Sequence, residues 1–471
     1  VSPRAARFAG APPGPAGRRA PAAPGSVHPG GTSYWPGGRS VHDTGGMRLR
    51  TAALAATSVT AAGAAAVAAG RYAADAALRP VRRGSPAGRG QLPAGFGGPP
   101  LTVHSVGDGR ISLTRSLTAQ LPGVYGLVGR GCRAVVGPVV DGEPAKAPAD
   151  TVVRRLEWAG HGELRPGTKV WFTPQVCTDD FGQSEDGADG GHGADSTRGT
   201  QSTDGADRRR SFTGRLPARA SVEVPGEHGP LPAWFVPGER ATWIVTLHGL
   251  GATTAQALPL LPFYADLQLP VLGLAYRGDA GAPPPPDGVR HLGGTEWRDA
   301  EAAIEYAVRN GAERVVLHGW SSGASMALRA AEELSGRRPG PGARSAAGRI
   351  AGLVLDSPVL DWWATVRVLA ASRHTPRALL PLAVRAAQGR AHVEQDRLRH
   401  VADPDALDVP ALLLHGPDDT VASWQRSKEL AAAREEFVTL HTVPSAPHAA
   451  MWNADPEAYE ERLRQFLTPL M

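Results

Sequence analysis

Cysteine is nearly absent from this chain: 471 residues hold only Cys132 and Cys177. Two cysteines exclude a disulfide framework and a four-cysteine zinc site, leaving one disulfide or two buried thiols. Excess basic charge is missing outside the N-terminus. The net charge is +5, but twelve arginines against Asp43 and Asp75 give residues 1–90 a charge of +10, so residues 91–471 carry −5. A mildly acidic main body argues against a nucleic-acid-binding surface there. Long apolar runs are also missing, with one exception. Thr51 to Gly70 is uncharged for twenty residues, long enough to span a bilayer. Eleven of those residues are alanine, with one leucine and two valines, so the drive to insert is weak.

What is present is uneven along the chain. Residues 1–46 are rich in Pro, Gly, Arg and Ala without periodicity, which reads as disorder or as a misassigned extension before Met47. Residues 47–83 open with Arg48 and Arg50 before the alanine-rich run. They are expected to be a membrane anchor, making the protein membrane-associated, or alternatively a signal segment cleaved near Ala64–Ala66 and releasing a secreted protein. Arginines stand on both sides of the run, so they set no orientation. Residues 84–100 form a Gly/Pro linker.

From 101 to 181 short β-like runs recur between Gly, Pro and Asp turns: LTVHSV, RISLTR, GVYGLV, AVVGPVV, DTVVRRLEW and KVWFTPQV. They predict a small antiparallel unit. Residues 182–211 are polar and of low complexity, a disordered insertion; His192 and its neighbouring aspartates read as a solvated loop, not as a metal site. From 220 to 471 apolar runs such as TWIVTLHG, RVVLHGW, AGLVLDSP and PALLLHGP alternate with helical stretches. Strands that lack polar alternation are buried on both faces, and strands alternating with helices predict a parallel α/β sheet. ASVEVP and AWFVP, within 220–237, predict an edge hairpin. A helical insertion at about 360–408 is expected to sit over the sheet as a cap.

The chemistry is concentrated in VVLHGWSSG, residues 315–323. Gly319, Ser321 and Gly323 fall where a strand hands over to a helix. A serine on so sharp a turn needs neighbours without side chains two residues away on each side, which glycine supplies. The helix behind it points its first amides at the reacting centre. A serine hydroxyl needs a base to remove its proton, a carboxylate to orient that base, and amides to hold the oxyanion. Three loops after strands offer these groups: PDDTV, PSAPHAAMWN with His448, and LGATT, where an amide near Leu250 would join that of Ser322.

These residues resemble the α/β-hydrolase superfamily, and more narrowly an actinobacterial-style membrane-associated branch near the prolyl-oligopeptidase and serine-aminopeptidase-like hydrolases. The resemblance covers about 220–471 and rests on LHGLG, YRGDAGAPPPPDG, HLGGTEWRDAEAAI, GWSSG, LLLHGPDDTV and PHAAMWNADPEAYEERLRQFL. It implies an α/β-hydrolase fold and the chain order Ser321, Asp419, His448. The family pattern H-G-x-x-D maps the acid to Asp419, with Asp418 as runner-up. Ala324 and Ser322 depart from the glycine and methionine common in relatives, but both still suit the turn.

The expected function is therefore a serine hydrolase that cleaves a carboxylic ester through an acyl-enzyme, without cofactor or metal. Its partner would be a small ester or a short peptide. Alternatives are a peptidase or amidase, a hydrolase-fold acyltransferase, and a non-catalytic binding module. Trp320 and Glu296 are candidate substrate-binding residues, Trp320 beside the acyl pocket and Glu296 toward an amine. Trp362 and Trp363 suit the pocket or the core equally. His248, His318, His415 and His441 lie on strand runs and read as core or supporting residues. Asp356 ends a strand and is an alternative acid or an anchor for the cap.

Overall fold

The computed structural model describes residues 92–140, 150–160, 164–176, 216–335, 346–391, 393 and 403–471, with part of 67–78. Residues 1–66, Cys177 and the stretch 182–211 containing His192 lie outside the described residues.

The six short runs become six strands: β1 Leu101–Gly107, β2 Arg110–Thr114, β3 Tyr125–Gly129, β4 Cys132–Val139, β5 Thr151–Ala159 and β6 Lys169–Thr173. They pair antiparallel in the order β1-β2-β5-β4-β3-β6 and close into a barrel. Closure removes the exposed strand edges that a small sheet would otherwise present. Val103, Ile111, Tyr125, Leu127, Val152 and Phe172 fill the interior. Cys132 is buried there as a free thiol.

A charged side chain is sunk in the same unit. Arg154 is fully buried. Its Nε donates to Gly137 O at 2.8 Å, Nη1 to Ala119 O at 3.0 Å and Leu121 O at 2.6 Å, and Nη2 to Gly123 O at 2.7 Å. Burial pulls its pKa down to about 10, so it remains a cation near neutral pH. The guanidinium also lies 5.4 Å from the ring centre of Phe172. One side chain thus pins the connection between β2 and β3 to the rest of the barrel.

The larger body is an eight-stranded sheet built from β7 Ala220–Gly226, β8 Gly229–Val236, β9 Thr242–Leu247, β10 Val271–Leu274, β11 Arg314–Trp320, β12 Ile350–Asp356, β13 Ala411–His415 and β14 Val438–Thr442. Its order is β14-β13-β12-β11-β9-β10-β8-β7. β7 and β8 form the antiparallel edge hairpin, and every pairing from β10 to β14 is parallel. β9 and β13 are buried at every position, which explains their unbroken apolar runs. Helices α1 Leu261–Asp266, α2 Trp297–Arg309 and α3 Ser322–Leu334 connect the central strands. The α/β class and the β-rich unit before it are as expected.

Between β12 and β13 lie α4 Trp362–Ser372 and α5 Leu380–Arg390. They bury Trp362, Val366 and Val384 in one cluster with Ala74, Leu78 and Leu292. Ala74 and Leu78 belong to the stretch that follows the alanine-rich run.

That contact bears on the anchor. Among the described residues no helix is long and apolar enough to cross a membrane. The expected transmembrane helix, and with it membrane association through the N-terminus, is corrected. The described residues between 67 and 78 are helical, but Arg71 and Asp75 break the apolar run. Gly70, Ala74 and Leu78 turn inward, and a Cβ on Gly70 would lie 3.1 Å from the Leu382 backbone. The apolar face is spent on protein. Residues 51–66 lie outside the described residues.

Candidate active site

β11 runs straight into α3, and Ser321 occupies the junction with φ 52° and ψ −117°. A non-glycine residue in that region is strained and persists only where its surroundings enforce it. Here they do. A Cβ on Gly319 would lie 2.4 Å from Gly323 O, and one on Gly323 would lie 2.0 Å from Leu247 O. Neither position accepts a side chain, so the two glycines are demanded by packing on the turn itself and on the end of β9.

His448 stands in the loop after β14. Its Nε2 is 2.7 Å from Ser321 Oγ and its Nδ1 is 2.7 Å from Asp419 Oδ2. Asp419 lies in the loop after β13. Its Oδ1 accepts from the amides of Val421 at 2.7 Å and Ala422 at 2.9 Å, while His415 Nε2 meets Oδ2 at 2.9 Å. Burial would raise the Asp419 carboxyl, but the charge of His448 and the bonds from both histidines outweigh it and hold the pKa below the ordinary carboxylate range. Asp418 points elsewhere and accepts from Ser445 N at 2.8 Å. Serine, imidazole and carboxylate therefore form one hydrogen-bonded line, brought together from three loops. Ser321 is 3% exposed and His448 1%.

Among solved structures, the chain is similar to the Pyrococcus furiosus esterase Pf2001, at 20% identity over 53% of this chain and 92% of that chain, with a TM-score of 0.42. It is similar to Thermogutta terrifontis esterase 2 phosphoramylated by tabun, at 16% identity over 55% and 97%, TM-score 0.40. XC6422 from Xanthomonas campestris, a member of the α/β serine hydrolases without a lid, matches at 16% identity over 54% and 95%, TM-score 0.37. Residues 102–173 match a domain of unknown function, DUF8805. No curated protein matches the chain. Likenesses this distant add nothing to the chemistry, which rests on the side chains.

The loop after β9 lies against the serine, since a Cβ on Gly249 would be 3.0 Å from Ser321 Cβ. Gln256 ties this loop to the histidine loop: its Oε1 accepts from Gly249 N at 2.9 Å and its Nε2 donates to Ala449 O at 3.3 Å. Leu250 follows Gly249, and Ser322 opens α3. Amides in a helix's first turn have no acceptor within the helix.

The remaining candidates divide. Trp320 stacks on His318 at 4.0 Å and lines a small cavity with Gln256, Ala449 and Asn453. Glu296 precedes α2. Its carboxylate accepts from His291 N at 2.7 Å and Gly293 N at 3.0 Å, so it holds a loop. His318 bridges Tyr264 at 2.5 Å and Tyr459 at 3.0 Å, and burial lowers its pKa to about 3. His248 pairs with Asp279 at 2.8 Å, which in turn binds Arg290 at 2.6 Å. His415 reaches beyond Asp419 to Ser427 Oγ at 2.7 Å. Nothing in its strand position distinguished it from the other strand histidines.

Asp356 ends β12, fully buried. Burial raises its carboxyl to about 7. Its Oδ1 accepts from Ser357 Oγ at 2.7 Å, and that same oxygen of Ser357 accepts from Ala449 N at 3.0 Å. It braces the histidine loop from behind rather than meeting the imidazole.

Proposed function

We propose that the chain is a serine hydrolase that cleaves a small carboxylic ester through an acyl-enzyme. The observation that carries this reading is the continuous line from Ser321 Oγ to His448 Nε2 at 2.7 Å and from His448 Nδ1 to Asp419 at 2.7 Å. Ser321 Oγ attacks the carbonyl carbon and His448 takes its proton. Asp419 stays ionised and holds the imidazolium. The amides of Leu250 and Ser322 bind the oxyanion, helped by the N-terminus of α3. The protonated histidine then passes its proton to the leaving alkoxide, and water repeats the cycle on the acyl-enzyme.

The enclosure of the serine favours a small ester over a polypeptide. α4 and α5 serve as the cap, since Leu250 and Val421 pack against their cluster. Trp320 borders the acyl side. A fluorophosphonate probe is expected to label the wild-type protein and not Ser321→Ala. Equal labelling of the two removes the nucleophile. Turnover of a panel of chromogenic esters and aminoacyl amides, with and without an alcohol acceptor, separates esterase from amidase and acyltransferase.

A further inference from the structure

The barrel is bonded to the loop that carries His448. Asn453, five residues further on, is 4% exposed. Its Nδ2 donates to Val124 O at 2.8 Å and Pro174 O at 2.9 Å, and its backbone oxygen accepts from Val124 N at 2.8 Å. The join is tight: a Cβ on Gly123 would lie 1.9 Å from Asn453 O and 2.6 Å from Ala454 O. Ala450, two residues past His448, is buried in the barrel's own core. On the other side Gln175 Nε2 donates to Thr253 Oγ1 at 3.0 Å, and Thr253 caps the turn that follows the Leu250 loop.

The stretch leading into the barrel touches both catalytic loops. Ala94 N donates to Leu250 O at 3.3 Å. A Cβ on Gly95 would sit 3.1 Å from His448 Cβ, and one on Gly251 would sit 3.1 Å from Leu92 O. Phe96 fastens this strap in the barrel core. Barrel and strap therefore bear on the histidine and on the oxyanion loop, and Ser321 is fixed separately by the sheet.

We infer that the barrel is a working part of the active site, seating the His448 and Leu250 loops against Ser321, with Asn453 as the positioning residue. This rests on the serine-hydrolase reading. Proton transfer needs donor and acceptor within about 3.2 Å, and a displacement of about 1 Å costs on the order of 100-fold in rate. Asn453 acts through the backbone between 448 and 453. Its loss therefore lowers the chemical step and spares substrate binding.

The full-length wild type is compared with Asn453→Ala, Gly123→Ala and Gln175→Ala. The measurements are thermal melting, fluorophosphonate titration of active serine, and ester kinetics on the titrated fraction. Asn453→Ala and Gly123→Ala are expected to lower kcat about 10- to 100-fold with KM within about twofold. Gln175→Ala removes a solvent-exposed bond and is expected to lower kcat about two- to fivefold. A merely structural role would lower the melting temperature and leave kcat per labelled serine at its wild-type value. That outcome in all three variants overturns the inference. If Asn453→Ala and Gly123→Ala do not fold, Gln175→Ala decides, and wild-type kcat there is sufficient to overturn it. If the wild type itself shows no labelling at Ser321, the serine-hydrolase reading falls first, and the role given to the barrel falls with it.

Discussion

The backbone of Ser321 shows how much a single position can require. Its positive φ is held because Gly319 and Gly323 let the turn close on itself and on β9. The five-residue motif was legible because the closing of the turn on itself is local, whereas its fit against β9 is not. Asp356 is a contrasting case, where burial decides and local sequence says little. Its carboxyl is raised to about 7 in the fold, against an ordinary value near 3.9 in the unfolded chain. Below about pH 4 both states hold the proton and it costs nothing. Between pH 4 and 7 only the folded state keeps it, so stability falls as pH rises, and above 7 the cost is constant. Asp356→Asn should therefore gain stability over the wild type as pH rises from 4.5 to 8, by up to about 4 kcal/mol. Urea unfolding at several pH values reads this, and a pH-independent difference would refute it. His415 was not separable from His248 or His318 in the sequence, because its partner Asp419 is fixed by how the β13 loop turns back.

At the scale of elements, strands and the serine turn were readable, and contacts between elements were not. Each of the six β runs carried its own turns, so the antiparallel unit was evident; its closure depends on β1 meeting β6, which no local pattern encodes. The alanine-rich run misled for a related reason. Hydropathy registers how apolar a segment is, not whether Trp362 and Val384 are waiting to cover Ala74 and Leu78 just beyond it. Arg154 makes the dependence on distant partners measurable. Arg154→Ala strips four backbone carbonyls of their donor at once. It should cost about 3–5 kcal/mol, checked by thermal or urea unfolding. A loss under about 1 kcal/mol would mean that water replaces the guanidinium.

For the molecule as a whole, the barrel and the sheet share buried side chains and should not melt independently. Ala450 fills the barrel core, and Val124 and Val176 pack in the cluster of the sheet's helices. Calorimetry should show one transition for residues 92–471, shifted as a unit by Arg154→Ala; two separated transitions would contradict this. The bond from Asn453 to Val124 joins residues 329 positions apart. Domains fold as the ribosome releases them, the N-terminal ones first. The barrel's six strands are therefore synthesised long before their partner, and the segment that docks must wait, uncovered, while the sheet is made. His448 and Asn453 then arrive after all eight strands of the sheet. The serine turn exists earlier, but it meets its base only when the segment from His448 to Asn453 settles on the barrel, so a product terminated before His448 carries a nucleophile with nothing to activate it.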